Sequence, residues 1–193
     1  MLGVLDIQGS VEEHLSALKR LNVPTVAIKT LAELDQVDGL IIPGGESTTI
    51  GKLMKRFGLD EAIRRRVHAG SLALFGTCAG AILMAKKDQN GAPDTLGLMN
   101  IDIERNAYGR QLDSFETELF APELNANDLH AVFIRAPRIR GTSVGVKTLA
   151  HYENEPVMLR ENNLLVSTFH PELTDDLRVH QYFVALTASY AKR

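Results

Sequence analysis

The sequence predicts an α/β fold: a single three-layer domain with a mixed, mostly parallel central sheet and helices on both faces. Three observations carry that expectation. Short apolar runs alternate with amphipathic stretches through the first half of the chain, the pattern of βαβ units around a parallel sheet. Two of the runs, Gly39-Leu40-Ile41-Ile42 and Leu72-Ala73-Leu74-Phe75, are apolar throughout, as strands covered on both faces are. Each of the two leads into a turn that carries glycine, and in such sheets ligands gather beyond the carboxyl ends of the strands.

Taken in order, residues 2–7 are a β-type run broken by Gln8-Gly9. Ser10, with Glu13 three residues on, has the form of a capping box, and Val11, Leu15, Leu18 and Leu21 make the apolar stripe of a surface helix. Residues 23–28 read as the second strand, 31–34 as a short helical turn, and 39–42 as the third strand, ended by Pro43-Gly44-Gly45. Helices are expected over 47–57 and 60–69, and 72–75 is the strand that feeds the cysteine. In the second half, strand-like runs at 99–104, 115–120, 131–134, 144–152, 157–160 and 164–169 follow one another, with turn signals at 125–128 and 161–163. Part of the sheet should therefore be antiparallel or hairpin-connected. A helix over 174–190, with Val179, Phe183, Leu186 and Tyr190 at helical spacing, closes the pattern. Residues 89–94 read as a loop rather than a boundary, and no repeat or linker interrupts the chain. We expect one domain spanning 1–193.

Composition narrows the class. Apolar residues make up 45% of the 193 and charged residues 23%, and the net charge is -3, which gives no electrostatic case for nucleic acid or an anionic membrane. No apolar run is long enough to cross a bilayer and no signal peptide is indicated, so a cytoplasmic protein is expected. The single cysteine excludes an internal disulfide and suits a reducing compartment. His14, His68, His130, His151 and His180 show no metal-ligand spacing, so neither metal nor cofactor is expected. Arg64-Arg65-Arg66 reads as a solvated helix face.

Three stretches carry chemistry. Gly76-Thr77-Cys78-Ala79-Gly80 reads as strand, sharp turn, helix, with the thiol at the apex, the cysteine counterpart of a nucleophile elbow. Its small neighbours suit a close approach of backbones, and a helix N-terminus favours thiolate. The competing reading is a small buried hydrophobe. His170-Pro171-Glu172 follows an apolar strand. Proline favours extended geometry before it, so His170 and Glu172 face the same way, as a proton carrier and the carboxylate that orients it. Alone, that stretch reads more readily as a helix-start loop with Glu172 at the N-terminus of the last helix; the elbow at Cys78 is what turns the reading to catalysis. Pro43-Gly44-Gly45-Glu46-Ser47 fails the spacing of a phosphate loop. It suits an oxyanion hole, with the N–H of Gly45 and that of Ala79 aimed at a developing oxyanion.

Gly-Gly-Glu-Ser-Thr at 44–48, Gly-Thr-Cys-Ala-Gly at 76–80 and His-Pro-Glu-Leu-Thr at 170–174 resemble the motifs of class I glutamine amidotransferases. The opening Gly3-Val4-Leu5-Asp6-Ile7-Gln8-Gly9, Arg105-Asn106-Ala107-Tyr108-Gly109-Arg110-Gln111 and Ile134-Arg135-Ala136-Pro137 narrow the resemblance to the glutaminase subunits of pyridoxal 5′-phosphate synthases. The resemblance implies a flavodoxin-like fold, with Cys78 as nucleophile, His170 as base and acid, and Glu172 as its orienter. It implies glutamine contacts at Gly45, Glu46, Ser47, Arg105, Ile134 and Arg135, no cofactor, and a synthase subunit as hetero-oligomeric partner receiving ammonia. An arginine fork suits the substrate carboxylate, and Glu46 suits its ammonium. Two other readings compete. A DJ-1/PfpI-type cysteine hydrolase would often carry His directly after the cysteine, where Ala79 stands, and would lack the late His-Pro-Glu. A non-catalytic regulatory subunit would not need an intact triad.

Overall fold

The structure, a computed structural model, describes residues 1–88, 95–105 and 114–190. The first half winds as expected: Leu2–Leu5 (β1), Val11–Arg20 (α1), Thr25–Ile28 (β2), Leu31–Leu34 (α2), Gly39–Ile42 (β3), Ser47–Arg56 (α3), Leu59–His68 (α4), Ala73–Thr77 (β4) and Ala79–Met84 (α5). The second half is mostly strand: Ala85–Asp88 (β5), Met99–Glu104 (β6), Ser114–Ala121 (β7), Ala126–Ile134 (β8), Arg138–Thr142 (β9), Lys147–Tyr152 (β10), Glu155–Glu161 (β11) and Leu164–Ser167 (β12), before the last helix Arg178–Tyr190 (α6).

Among the described residues the central sheet has seven strands in the order β10-β11-β12-β4-β3-β1-β2. Five are parallel, β2-β1-β3-β4-β12, which is the strand order of flavodoxin-like sheets. β11 and β10 continue it antiparallel, as the turn signals anticipate. Side chains of the parallel strands alternate between two cores. Leu40, Ile42, Leu74 and Val166 face α3, α4 and α5, and Ile41, Phe75 and Leu165 face α1 and α6. The covering layers are not helices alone. The β7–β8 hairpin packs on the α1/α6 face, and a small sheet of β5, β6 and β9 packs on the other.

Several local expectations are corrected. Ser10 precedes α1 but makes no side-chain cap; its hydroxyl donates to the Gly44 carbonyl at 3.4 Å, a tertiary bond that displaces the local one. The reciprocal capping box lies instead at Thr30 and Glu33, opening the four-residue α2. The strand expected over 144–152 begins at Lys147, and β9 before it was not anticipated. The turn expected at 125–128 shrinks to Asn125, whose φ of 53° lets β8 start at Ala126. The last helix starts at Arg178, because Pro171–Leu173 forms a 3-10 turn and Asp176 accepts from the Arg178 N–H. Two members of the Arg64-Arg65-Arg66 run are not simply solvated. Arg64 donates to the carbonyls of Thr95 and Leu96, and Arg66 to those of Leu34, Val37 and Ser71. The loop expected at 89–94 and the stretch from Asn106 to Gln111 lie outside the described residues. Among the described residues, no helix is long and apolar enough to cross a membrane.

Candidate active site

Three neighbouring parallel strands build the site. β3, β4 and β12 lie side by side, with Ile42 paired to Gly76 and Thr77 to Ser167. The segments leaving their carboxyl ends carry Gly44-Gly45, Cys78 and His170, so three stretches far apart in sequence emerge at one edge. The segment after β1 joins them: the Ser10 N–H donates to the Gly44 carbonyl at 3.0 Å.

Cys78 sits at φ 46°, ψ -97°, a positive-φ conformation that side-chain-bearing residues rarely adopt, between β4 and α5. The turn needs its two glycines. A Cβ on Gly76 would lie 2.5 Å from the Gly80 carbonyl carbon, and one on Gly80 would lie 2.1 Å from the Ile42 carbonyl oxygen. Cys78 is 8% exposed and its Sγ lies 3.9 Å from the Ile134 carbonyl oxygen.

His170 and Glu172 face one site, as their spacing predicts. His170 Nδ1 is 2.8 Å from Glu172 Oε1, and both residues are buried. Burial disfavours charge on His170, but its hydrogen bonds to the Cys78 thiol and the Glu172 carboxylate override that cost, raising its pKa from 6.5 to about 10. Burial likewise opposes ionisation of Glu172, but the His14 ring beside it and the hydrogen bond and charge of His170 lower its pKa to about 2. Burial in turn lowers the pKa of His14.

A cleft of about 500 Å³ opens over the thiol. Gly45, Glu46, Ser47, Cys78, Ala79, Arg105, Ile134, Arg135 and His170 all line it, together with Gly9 and Gly44 of the motifs named above and with Ser10, Ile82 and Leu173, which sequence reasoning did not single out as site residues. Glu172 lies behind His170 rather than on the wall. The Gly44 N–H is taken by Thr77 Oγ1 at 2.9 Å, which leaves Gly45 and Ala79 as the oxyanion candidates. Glu46 is committed further than expected: its carboxylate caps α3, accepting from the N–H groups of Thr48 and Thr49 and from the Thr49 hydroxyl, and its pKa falls to about 2. Only its remaining lone pairs are left for a ligand ammonium. Arg105 reaches Thr48 Oγ1 at 3.4 Å, and Arg135 stands at φ 46° on the cleft rim.

Sequence reasoning missed a polar cluster beneath the His170–Glu172 pair. His14 Nδ1 lies 3.0 Å from His180 Nε2, and His14 Nε2 lies 3.2 Å from Thr77 Oγ1 and 3.6 Å from Glu172 Oε2. Both histidines are fully buried. The signal available was a histidine on the apolar stripe of each of two helices.

The profile of the SNO glutamine amidotransferase family matches residues 4–189. The pyridoxal 5′-phosphate synthase subunit PdxT of Thermotoga maritima is 50% identical over 185 residues, covering 96% of this chain and 98% of that protein. Its namesake from Thermus thermophilus is 49% identical over 188 residues, covering 96% and 97%. A crystal structure described as a glutamine amidotransferase superposes with a TM-score of 0.93 at 47% identity, over 97% of this chain and 98% of that one. The structure of PurLQS from Thermotoga maritima, at 14% identity and a TM-score of 0.70, covers 95% of this chain and 97% of that one and shares the fold.

Proposed function

The chain belongs to the SNO glutamine amidotransferase family, and from that premise we infer that it is the glutaminase subunit of a pyridoxal 5′-phosphate synthase. It hydrolyses L-glutamine to L-glutamate and ammonia, and a synthase subunit consumes the ammonia. The observation that carries the reading is the strained Cys78 at the mouth of a cleft, with the buried His170–Glu172 pair against it.

The chemistry follows from the geometry. Glutamine lies in the cleft with its side-chain amide over Cys78. An arginine of the rim, Arg105 or Arg135, takes the α-carboxylate as a fork, while Gly45, Glu46, Ser47 and Ile134 line the remainder. The Cys78 sulfur attacks the amide carbon and its proton resides on His170. The tetrahedral oxyanion is received by the N–H groups of Gly45 and Ala79. Its collapse breaks the C–N bond, and His170 returns the proton to the departing ammonia. A water molecule, deprotonated by His170, then attacks the γ-glutamyl thioester and releases glutamate. Throughout, Glu172 fixes the Nδ1–H tautomer of His170 and stabilises the imidazolium.

The residues 1–193 work as one glutaminase domain. Ammonia set free in neutral water is mostly protonated and no longer nucleophilic, so direct transfer to a docked synthase is the economical arrangement. A lone catalytic thiol also stays reduced in the cytoplasm, which we propose as its location. Steady-state glutamine hydrolysis, with and without the synthase subunit, tests the reading. Activity that needs Cys78 and rises on adding the synthase is expected. Turnover retained in Cys78→Ala would overturn the triad, and an isolated chain already at full rate would overturn the dependence on a partner.

A further inference from the structure

The buried cluster beneath the triad is not used by the mechanism above. His14 projects from α1 and His180 from α6, and their rings meet at 3.0 Å, with Phe75 edge-on to both. Two polar atoms in the cluster have no hydrogen-bond partner: Glu172 Oε2 and His180 Nδ1. Together these favour one placement of the protons. A neutral imidazole has one N–H and one bare nitrogen. If His180 donates from Nε2 to His14 Nδ1, its own Nδ1 is bare, and a buried bare nitrogen leaves no N–H stranded. His14 must then carry its hydrogen on Nε2, which faces Thr77 Oγ1 at 3.2 Å and Glu172 Oε2 at 3.6 Å. The opposite assignment would strand a buried N–H on His180 and aim a lone pair of His14 at a carboxylate oxygen. Burial keeps both rings neutral, His180 down to about 3, so neither supplies a competing charge. Among the described residues no group of three or more His, Cys, Asp or Glu side chains is arranged to hold a metal ion.

We propose that His14, with its tautomer set by His180, is a positioning residue for the reaction: its Nε2–H steadies the free oxygen of Glu172 and, through Thr77, the Gly44 peptide beside the oxyanion hole. Glu172 Oε1 is committed to His170, and the nearest N–H to the free Oε2 is that of His14, at 3.6 Å. Thr77 Oγ1 takes the Gly44 N–H at 2.9 Å, and the Gly44 carbonyl takes the Ser10 N–H at the start of the helix that carries His14. One ring thus reaches both halves of the machinery, the proton carrier's support and the oxyanion loop.

The kinetic test rests on the glutaminase reading and uses the chain together with its synthase subunit. His14→Phe keeps the ring and removes the N–H; His14→Gln returns an N–H near the Nε2 position. The expected result is a kcat for His14→Phe lowered roughly tenfold or more, as for a small misplacement of the proton carrier, with the KM for glutamine unchanged. Most of kcat should return in His14→Gln. The low-field His170 Nδ1–H proton should shift in the Phe variant and not in the Gln variant. Full kcat in folded His14→Phe, or equal loss in Phe and Gln variants, overturns the proposal. Should His14→Phe fail to fold, ¹⁵N-histidine spectra of the unmutated protein decide: Nε2–H tautomers are expected on both rings, and an Nδ1–H tautomer on His14 overturns it. Absent glutamine turnover in the unmutated complex would refute the function instead, and leaves the tautomer test standing.

Discussion

Gly44→Ala should disable the site by a specific collision. The added Cβ would lie 2.4 Å from His170 Cε1 and 2.9 Å from Nδ1, against an ordinary carbon–carbon contact of about 3.5–4.0 Å. Gly44 has ordinary negative φ, so the backbone accepts alanine and the whole cost falls on the ring. The ring has to move by roughly an ångström. Its 2.8 Å bond to Glu172 cannot survive that movement, and neither can its register with Cys78. A misplacement of that size costs about 10²-fold in rate, and overpacking costs about 1–3 kcal/mol in stability. Gly45→Ala is the control. There the nearest obstacle is the amide oxygen of Gln8 at 2.5 Å, which can move at the cost of its bond to the Glu46 N–H, with Gly9 Cα at 3.1 Å needing to give only by a few tenths of an ångström. Glutamine turnover by both variants with the synthase subunit, and urea midpoints for both, make the assay. A Gly44→Ala protein with more than half the normal kcat, or a Gly45→Ala protein that is the worse of the two, would refute the reasoning.

Cys78→Gly should be more stable than Cys78→Ala by about 1 kcal/mol in chemical denaturation, because glycine relieves the positive φ that alanine keeps, less its greater chain entropy. Both should be inactive. His170→Asn removes the proton carrier and Glu172→Gln only its orienter, so the glutamine variant should retain the higher kcat; the reverse order would mean the roles are misassigned. Glu172 has a depressed pKa, so its contribution to stability is complete above about pH 4.5 and is lost as pH falls through about 2. The stability gap between the unmutated chain and Glu172→Gln, on the order of 3 kcal/mol for a buried pair, should therefore be widest between about pH 4.5 and 6.5, narrow below 4.5, and narrow again as pH rises towards 10, where folded His170 loses the proton that Glu172 helps it hold. A gap that widens on acidification below about pH 4.5 would contradict the assignment.

The legible parts of this protein were those whose signal is contiguous. A glycine-bracketed cysteine, a proline-fixed His/Glu pair and a glycine loop each announce a local geometry, and the strand periodicity places all three at one sheet edge. What escaped was decided by partners distant in the chain. Ser10 looks like a helix cap until Gly44, thirty-four positions away, offers its carbonyl. Arg66 looks like a solvated cation until the loops after α2 and α4 bring three carbonyls to it. His14 and His180 each look like an isolated polar residue on an apolar stripe, and only the shared packing of α1 and α6 against Phe75 makes them a pair. Glu46 was legible as a site residue but not as a cap, because carboxylates at that position serve either role.

The parallel pairing of β12 with β4 sets the order in which the protein acquires reactivity. Leu164 pairs with Leu74, so the strand that ends in the thiol and the strand that leads to the imidazole are distant in sequence. The elbow with its thiol can form from the early strands, yet the imidazole arrives only when the β11–β12 hairpin docks. A contact between strands so far apart is slow to close, because the intervening chain must be confined first. A chain in which that pairing is not made holds its thiol without the imidazole, so recovery of turnover is a readout for the docking of β12 on β4 rather than for the appearance of secondary structure.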